Sequence, residues 1–290
     1  MELARTEERI RGVCEDWRED GLQIGFVPTM GALHSGHTSL VDISLERADR
    51  TVVSIFVNPT QFGEKEDLDA YPRDPESDAN ALREMGVDAV FLPSEEEMYP
   101  PGYSTYVEVE GVSDGLCGSF RPGHFRGVAT VCTVLFRILR PHLAVFGRKD
   151  AQQLAVIRRL VRDLRLDVEV VAGPIVREPD GLALSSRNSY LSRLEREQAT
   201  ALYRGLLRAE GLAGEGRTDP AALRSAVRAE IESQPLLSAQ YVELVDPSTM
   251  RPLERLDRRG LLAVAVFAGR TRLIDNILID PPENREEGAG

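Results

Sequence analysis

The chain is predicted to be an α/β protein with two domains. The first, 1–174, is a Rossmann-like parallel sheet, and the second, 175–290, is a smaller α+β domain. Three observations predict this. Short apolar, β-branched runs alternate with amphipathic helical patterns through the first part of the chain. Clusters of Gly, His, Lys and amide side chains follow the ends of those runs. After Gly173-Pro174 the pattern changes to two long helical stretches followed by strands joined through a tight turn.

Each element follows from its own pattern. Glu2 to Asp20 places Leu3, Ile10, Val13 and Trp17 at helical spacing, which predicts an amphipathic helix with those residues buried. Leu22 to Val27 is the first strand, and Thr38 to Ala48 the next helix. Thr51 to Val57 is apolar on both faces, as a central parallel strand should be. Glu76 to Met85 is a helix and Asp88 to Leu92 a strand, and the alternation of Tyr103 to Val109 suggests another strand. Gly111 to Gly127 is glycine-rich and aperiodic, with Arg121, His124 and Arg126 in it. An ordinary surface loop and a functional loop read equally well there. Val128 to Arg140 is a buried helix, Leu143 to Phe146 a short strand, Ala151 to Leu164 a helix and Asp167 to Val171 a strand. In the second domain, Leu191 to Leu212 and Pro220 to Ser233 are helical. Tyr241 to Val245, Leu261 to Phe267 and Leu273 to Ile279 are strands of an antiparallel sheet, and residues 281–290 are a frayed tail.

Composition narrows the function. The 290 residues, 42% hydrophobic and 28% charged, suffice for real cores. A net charge of −12 argues against a protein that grips nucleic acid by its backbone. No apolar run approaches membrane-spanning length, and the N-terminus lacks the apolar region of a signal peptide. Cys14, Cys117 and Cys132 form no CxxC pair, which fits a reducing compartment, the cytoplasm by default.

The chain is organised around Ile24 to His37. An apolar run ends at Pro28, a loop carries Gly31, Gly36, His34 and His37, and a helical pattern begins directly after. A helix N-terminus offers unpaired N–H groups and positive partial charge to phosphates, and glycines let backbone approach a ligand. Taken alone, the glycines could be turn punctuation and the histidines solvated side chains or zinc ligands, though no Cys or third His stands nearby. In parallel sheets ligands bind beyond the C-terminal strand ends. His34/His37, Asn58/Gln61 and Lys149/Asp150 all follow such ends, and together they weigh more than any one cluster. Ser185-Ser186-Arg187 alone would read as a capping segment, Lys149-Asp150 as an exposed turn, and one of Gln152 and Gln153 as facing water.

With these clusters assembled, the chain resembles the pantoate–β-alanine ligase (pantothenate synthetase) family of the HxGH nucleotidylyltransferase superfamily. The resemblance rests on PTMGALHSGH at 28–37, SIFVNPTQF at 54–62, YPRD at 71–74, RPGHFRGVATV at 121–131, GRKDAQQL at 147–154, DGLALSSRN at 180–188 and RLIDN at 272–276. HxGH alone would indicate only the superfamily. NPTQF, KDAQQ and LSSRN in this order are specific to the ligase. Arg148 stands where the family more often has Glu or Gln, and Thr60 where Met is common.

The resemblance implies a two-step ligation in the cytoplasm by a homodimer, with no nucleic-acid or membrane partner. Pantoate attacks the α-phosphorus of ATP, giving pantoyl adenylate and pyrophosphate. β-Alanine then attacks the activated carbonyl, giving pantothenate and AMP. By the same resemblance ATP is held by Met30, Gly31, Ala32, Leu33, His34, Ser35, Gly36 and His37, by Gly147, Arg148, Lys149 and Asp150, and by Val176, Leu184, Ser185, Ser186 and Arg187. Asp150 takes the ribose hydroxyls. His34, His37, Lys149 and Arg187 are the catalytic set, with His37 as proton donor. Gln61 and Gln153 bind pantoate, and Gln61 also β-alanine. Mg2+ is expected to bridge the phosphates, without assigned protein ligands and with Asp74 at most in an outer shell. The second domain is expected to act as a lid that excludes water from the mixed anhydride. Other readings are a dinucleotide-forming HxGH transferase, a tRNA-charging enzyme and a regulatory nucleotide-binding module. The motifs after residue 58, the acidic charge and the retained His, Lys and Arg side chains argue against each in turn.

Overall fold

The structure, a computed structural model, describes residues 1–63 and 66–282. The chain forms two compact units. The first comprises Met1–Glu110, Gly118–Arg148 and Val156–Pro174. The second comprises Gly111–Cys117, Lys149–Ala155 and the chain from Ile175 onward. Two short segments from before residue 174 therefore belong with the second unit.

In the first unit, β1 (Glu2–Ala4) precedes α1 (Glu7–Glu19). The expected single helix is thus split. Thr6 takes extended backbone and caps α1 by accepting from Arg9 N, with Glu7 and Glu8 in the first turn where the helix dipole favours them. Leu3 pairs with Val90 in a strand and is 40% exposed, so it is not part of the helix's buried stripe, which centres on Ile10 and Cys14. Then come β2 (Ile24–Thr29), α2 (Ser35–Arg47), β3 (Arg50–Ile55), α3 (Pro75–Glu84), β4 (Ala89–Phe91) and the short α4 (Glu95–Met98). After α5 (Cys117–Phe120) follow α6 (His124–Leu139), β5 (Leu143–Gly147), α7 (Ala151–Asp163) and β6 (Glu169–Gly173).

The strands form one parallel sheet in the order β1-β4-β3-β2-β5-β6. Counted from β2 this is a doubly wound order, with its switch between β2 and β5. These two strands pair only at Gly25–Leu143 and Phe26–Ala144. Beyond that, Val27–Thr29 stay with β3 and Val145–Gly147 with β6, so the sheet parts at its C-terminal end. Val27, Val53, Val90 and Val145 pack with Leu40 and Val41 of α2 and Leu82 of α3. Each such side chain contributes about 1.5–3 kcal/mol of burial. Gly25 is required here because a Cβ would collide with Ser44 of α2.

The expected strand at Tyr103–Val109 does not form. Its alternating residues pack instead of pairing: Tyr103 meets Tyr106 edge-on at 5.8 Å, and Arg126 of α6 lies 3.9 Å over the Tyr106 ring.

In the second unit, α8 (Arg193–Ala199), α9 (Ala201–Gly214) and α10 (Pro220–Glu232) precede β7 (Leu237–Val245), β8 (Gly260–Ala268) and β9 (Thr271–Ile279). The expected helix over 191–212 is broken at Thr200, whose hydroxyl bonds the Glu197 carbonyl. The three strands are antiparallel in the order β7-β8-β9, and β8 and β9 turn at Gly269-Arg270 with Gly269 at φ 56°. Leu202, Leu206, Leu223, Val227, Val242 and Val264 form its core. Most of the expected tail, 283–290, lies outside the described residues. Among the described residues no helix is long and apolar enough to cross a membrane.

Candidate active site

The first set of site residues sits where the sheet parts. From Thr29 the chain enters a loop with Gly31 at φ 82° and Ala32 at φ 50°. That left-handed pair turns two successive N–H groups to one side, and Asp78 of α3 receives both. Its Oδ2 accepts from Ala32 N and its Oδ1 from Leu33 N, each at 2.9 Å. Asp78 is buried. Thr29 Oγ1 donates to Ser54 O at 2.7 Å and accepts from Gly31 N at 3.2 Å. His34 is the N-cap of α2, and its Nδ1 accepts from Gly36 N at 3.1 Å. The ring proton of that tautomer is therefore on Nε2. The His34 and His37 rings lie 4.1 Å apart at 33°. Two imidazoles thus face one another on the first turn of a helix whose first turn holds no acidic residue.

Beside this loop stands the Asn58–Gln61 turn after β3. Asn58 is 1% exposed and fully used: Nδ2 donates to Gln61 Oε1 and Gly127 O, and Oδ1 accepts from the Tyr99 hydroxyl at 2.8 Å and Thr60 Oγ1 at 2.9 Å. Thr60 thus supplies a hydrogen bond that the family's commoner Met could not. Burial pushes the Tyr99 phenol up to about 12, so it stays a donor at neutral pH. Gly127 has no room for a Cβ, which would collide with the Thr60 carbonyl. Gln61 Nε2 reaches Met30 Sδ at 2.9 Å.

The Gly111–Gly127 segment is not a plain surface loop. His124 Nδ1 lies 2.8 Å from the Gln61 carbonyl and its Nε2 lies 2.9 Å from Arg121 Nη1. Arg121 in turn forks onto Glu66 at 2.7 and 2.6 Å. Burial pushes the Glu66 carboxyl up, but the Arg121 guanidinium outweighs it and holds the group below the usual range. Glu66, Arg121 and His124 therefore orient the Gln61 backbone. Arg126 instead stacks on Tyr106.

The second set lies, from Lys149 onward, in the second unit. The chain leaves β5 at Gly147 and makes a 3-10 turn over Arg148–Asp150, with Arg148 and Asp150 exposed and Lys149 half-buried. Of the two glutamines, Gln152 is buried and saturated, bonding Cys117 N, Val112 O and Gly115 O, while Gln153 is half-buried. Gln152 therefore holds the 111–117 segment, and neither amide faces water fully. Residues 176–184 fold back on themselves: Leu184 N donates to Val176 O at 3.0 Å and Glu178 N to Leu182 O at 2.8 Å. Ser185 caps the following 3-10 turn, Ser186–Tyr190, by accepting from Arg187 N. Val176, Leu184 and Ser185–Arg187 are thereby brought onto one hairpin-like loop.

Asp74, an outer-shell candidate, is the N-cap of α3 and accepts from Ser77 N at 3.0 Å. Among the described residues no three His, Cys, Asp or Glu side chains gather so as to hold a metal ion. Asp78 and the Asp275-Asn276 pair received no role from sequence reasoning. A signal existed for each: Asp78 lies one turn before buried Leu82 on the same helix face, and Asp275-Asn276 interrupt the apolar run Leu273 to Ile279.

The family model described as pantoate-beta-alanine ligase matches residues 2–278. The chain belongs to that family. The pantothenate synthetase of Thermosipho africanus is 53% identical over 279 residues, 96% of this chain and 100% of that one. The crystal structure of pantothenate synthetase from Thermus thermophilus superposes with a TM-score of 0.92 at 45% identity, covering 97% of this chain and 100% of that chain. That of the Francisella tularensis ligase, complexed with beta-gamma ATP and beta-alanine, gives a TM-score of 0.80 at 33% identity, covering 96% and 97%. As a member of this family the protein is an ATP-dependent ligase that forms pantothenate from pantoate and β-alanine. The dinucleotide-forming and tRNA-charging readings are thereby set aside.

Proposed function

We propose that the two sets of residues carry the two-step reaction as follows. In the first step charge builds on the α-phosphate and on departing pyrophosphate, and fixed donors aimed at those oxygens are the largest catalytic contribution. The helix N-terminus with His34 and His37 supplies such donors from the first unit, and Lys149, Arg187, Ser185 and Ser186 supply them from the second. His37 donates the proton to the leaving group. Met30–His37, Gly147–Asp150, Val176 and Leu184–Arg187 hold ATP, with Asp150 on the ribose. Gln61 and Gln153, neutral amides, bond pantoate's carboxylate and hydroxyls without repelling the attacking anion, and Gln61 later contacts β-alanine.

Mg2+ belongs to this reading as the counter-ion that would enter with the triphosphate and neutralise its charge. The second unit serves as a lid that keeps water from the adenylate. The protein works as a homodimer in the cytoplasm, a compartment that suits its three buried cysteines, none of them in a disulfide. The observation that carries the reading is the facing pair His34/His37 at the start of α2, beside the point where β2 and β5 part. The test is pyrophosphate release from MgATP and pantoate without β-alanine. Stoichiometric release that turns catalytic on adding β-alanine is expected. ATP binding without release would overturn the adenylate route.

A further inference from the structure

The RLIDN motif at 272–276 has no role in the chemistry above, yet it contains a deeply buried carboxylate of the second unit: Asp275 is 2% exposed and the neighbouring Asn276 6%. Both lie on β9, an edge strand of the antiparallel sheet. A buried polar pair on an apolar strand costs stability unless its groups are partnered, and here the partners belong to the nucleotide-binding segments. Asn276 Nδ2 donates to the Lys149 carbonyl at 2.9 Å. Asp275 takes Arg177 in a fork, Oδ2 at 2.6 Å from Nη1 and Oδ1 at 2.9 Å from Nη2, and Oδ1 also accepts from Asn276 N at 2.8 Å. Arg177 then reaches across its own loop. Nη1 donates to Gly181 O at 3.0 Å, and the guanidinium lies 3.8 Å over the Tyr203 ring. Gly181 is at φ 93°, and any Cβ there would strike Tyr203. Arg177 itself sits between Val176 and the strand-like contact with Ala183 that precedes Leu184.

We infer that Asp275 and Asn276 are positioning residues for adenylation: Asn276 fixes the backbone of Lys149, and Asp275, through Arg177, fixes the loop that carries Val176 and Leu184 to Arg187. This rests on the reading that Lys149 and Arg187 act on the triphosphate. One edge strand thereby holds two segments, separated in sequence, in the geometry they need before ATP arrives. Their alignment is then not spent out of the nucleotide's binding energy. Burial pushes the Asp275 carboxyl up, opposed by the Arg177 guanidinium, the Asn276 N–H and the Lys149 charge.

The experiment is a double-mutant cycle on the full-length enzyme, with Asn276→Ala, Lys149→Ala and the pair. It reads pantoate-dependent pyrophosphate release and, separately, pantothenate formation from isolated pantoyl adenylate and β-alanine. Asn276→Ala is expected to slow pyrophosphate release by about tenfold to a hundredfold, the scale of a misplaced group. The second half-reaction should change less than about twofold on the same scale. In the Lys149→Ala background, Asn276→Ala should cost almost nothing more, because its effect passes through Lys149. Additive losses, or equal loss in both half-reactions, would overturn the inference. Should Asn276→Ala not fold, Asn276→Ser keeps a donor on a shorter arm and enters the same cycle. If Lys149→Ala alone leaves pyrophosphate release intact, the role of Lys149 fails, an outcome distinct from an intact Lys149 role with additive Asn276.

Discussion

The two sets of candidate residues are held by opposite chemistry. In the first unit a loop in left-handed backbone is held by one carboxylate that accepts two main-chain N–H groups, Asp78 on Ala32 and Leu33. In the second unit a loop is held by an ion pair, Arg177 with Asp275, whose charges are both largely withdrawn from water, the side chains being 16% and 1% exposed. The first arrangement grips backbone directly and involves one charge. The second needs two charges, and each is costly without the other. The first half should therefore yield gradually to substitution and the second abruptly.

The largest effect expected is on the second half. Arg177→Ala leaves Asp275 buried and unpaired, and should destabilise the second unit by about 3–5 kcal/mol. Urea unfolding followed by hydrogen exchange in β9 measures it. A loss spread evenly over both units would contradict the local role. Next comes Arg187→Ala, which should lower adenylation by about 10²–10³-fold, the usual cost of a lost transition-state donor, with little change in unfolding midpoint. Equal adenylate formation by mutant and parent would remove that role. His37→Ala should likewise lose the first step chiefly. Slowing confined to product formation from isolated adenylate would reverse that assignment. In the first half, Asp78→Asn turns an NH2 toward one of the two loop N–H groups and should cost about 1–3 kcal/mol. It should raise KM for ATP more than it lowers the unfolding midpoint. A change in stability alone would leave Asp78 a packing residue.

The smallest effect is a pH dependence. Glu66 titrates below its usual value of 4.5 in the folded protein because Arg121 outweighs the upward push of burial. A depressed carboxylate contributes stability above the unfolded pKa and loses it as pH falls through the folded one. The orientation of Gln61 through Arg121 and His124 should therefore persist at neutral pH and loosen only below about pH 4.5. Glu66→Gln should flatten the acid side of the stability profile. An unchanged slope would mean that this pair contributes nothing to it.

Much of the fold was legible because the first unit is built from continuous apolar strands whose pattern tolerates few alternatives. β3, β5 and α7 lie within a residue or two of expectation. The misreadings share a cause. At Glu2 to Asp20 a cap, Thr6, interrupts a periodicity that otherwise spans strand and helix. At Tyr103–Val109 aromatic residues alternate as in a strand but are consumed by ring stacking and by Arg126. At Thr200 one hydroxyl ends a helix that periodicity would continue. In each case a single local hydrogen bond or ring contact outweighs a pattern that is only statistical. The site divides similarly. His34, His37, Gln61, Lys149 and Ser185–Arg187 stood out as chemically active types in a recognisable order. Asp78, Glu66 and Asp275 did not, because among 47 Asp and Glu the helix spacing of Asp78 and the strand position of Asp275 are weak marks and Glu66 carries none.

The sequence by itself determined which segments are strands and helices in the sheet-forming core, which polar residue types follow the strand ends, and the family. Those properties are local, set by side-chain type and spacing. Only the tertiary structure decided how the segments that carry those residues are held. The parting of β2 from β5 and the pairing of Arg177 with Asp275 each depend on residues far apart in the chain, as does the grip of Asp78 on the left-handed turn at Gly31-Ala32. The free energy of a buried charge or an N–H group depends on what packs around it, and that is known only once the chain has folded.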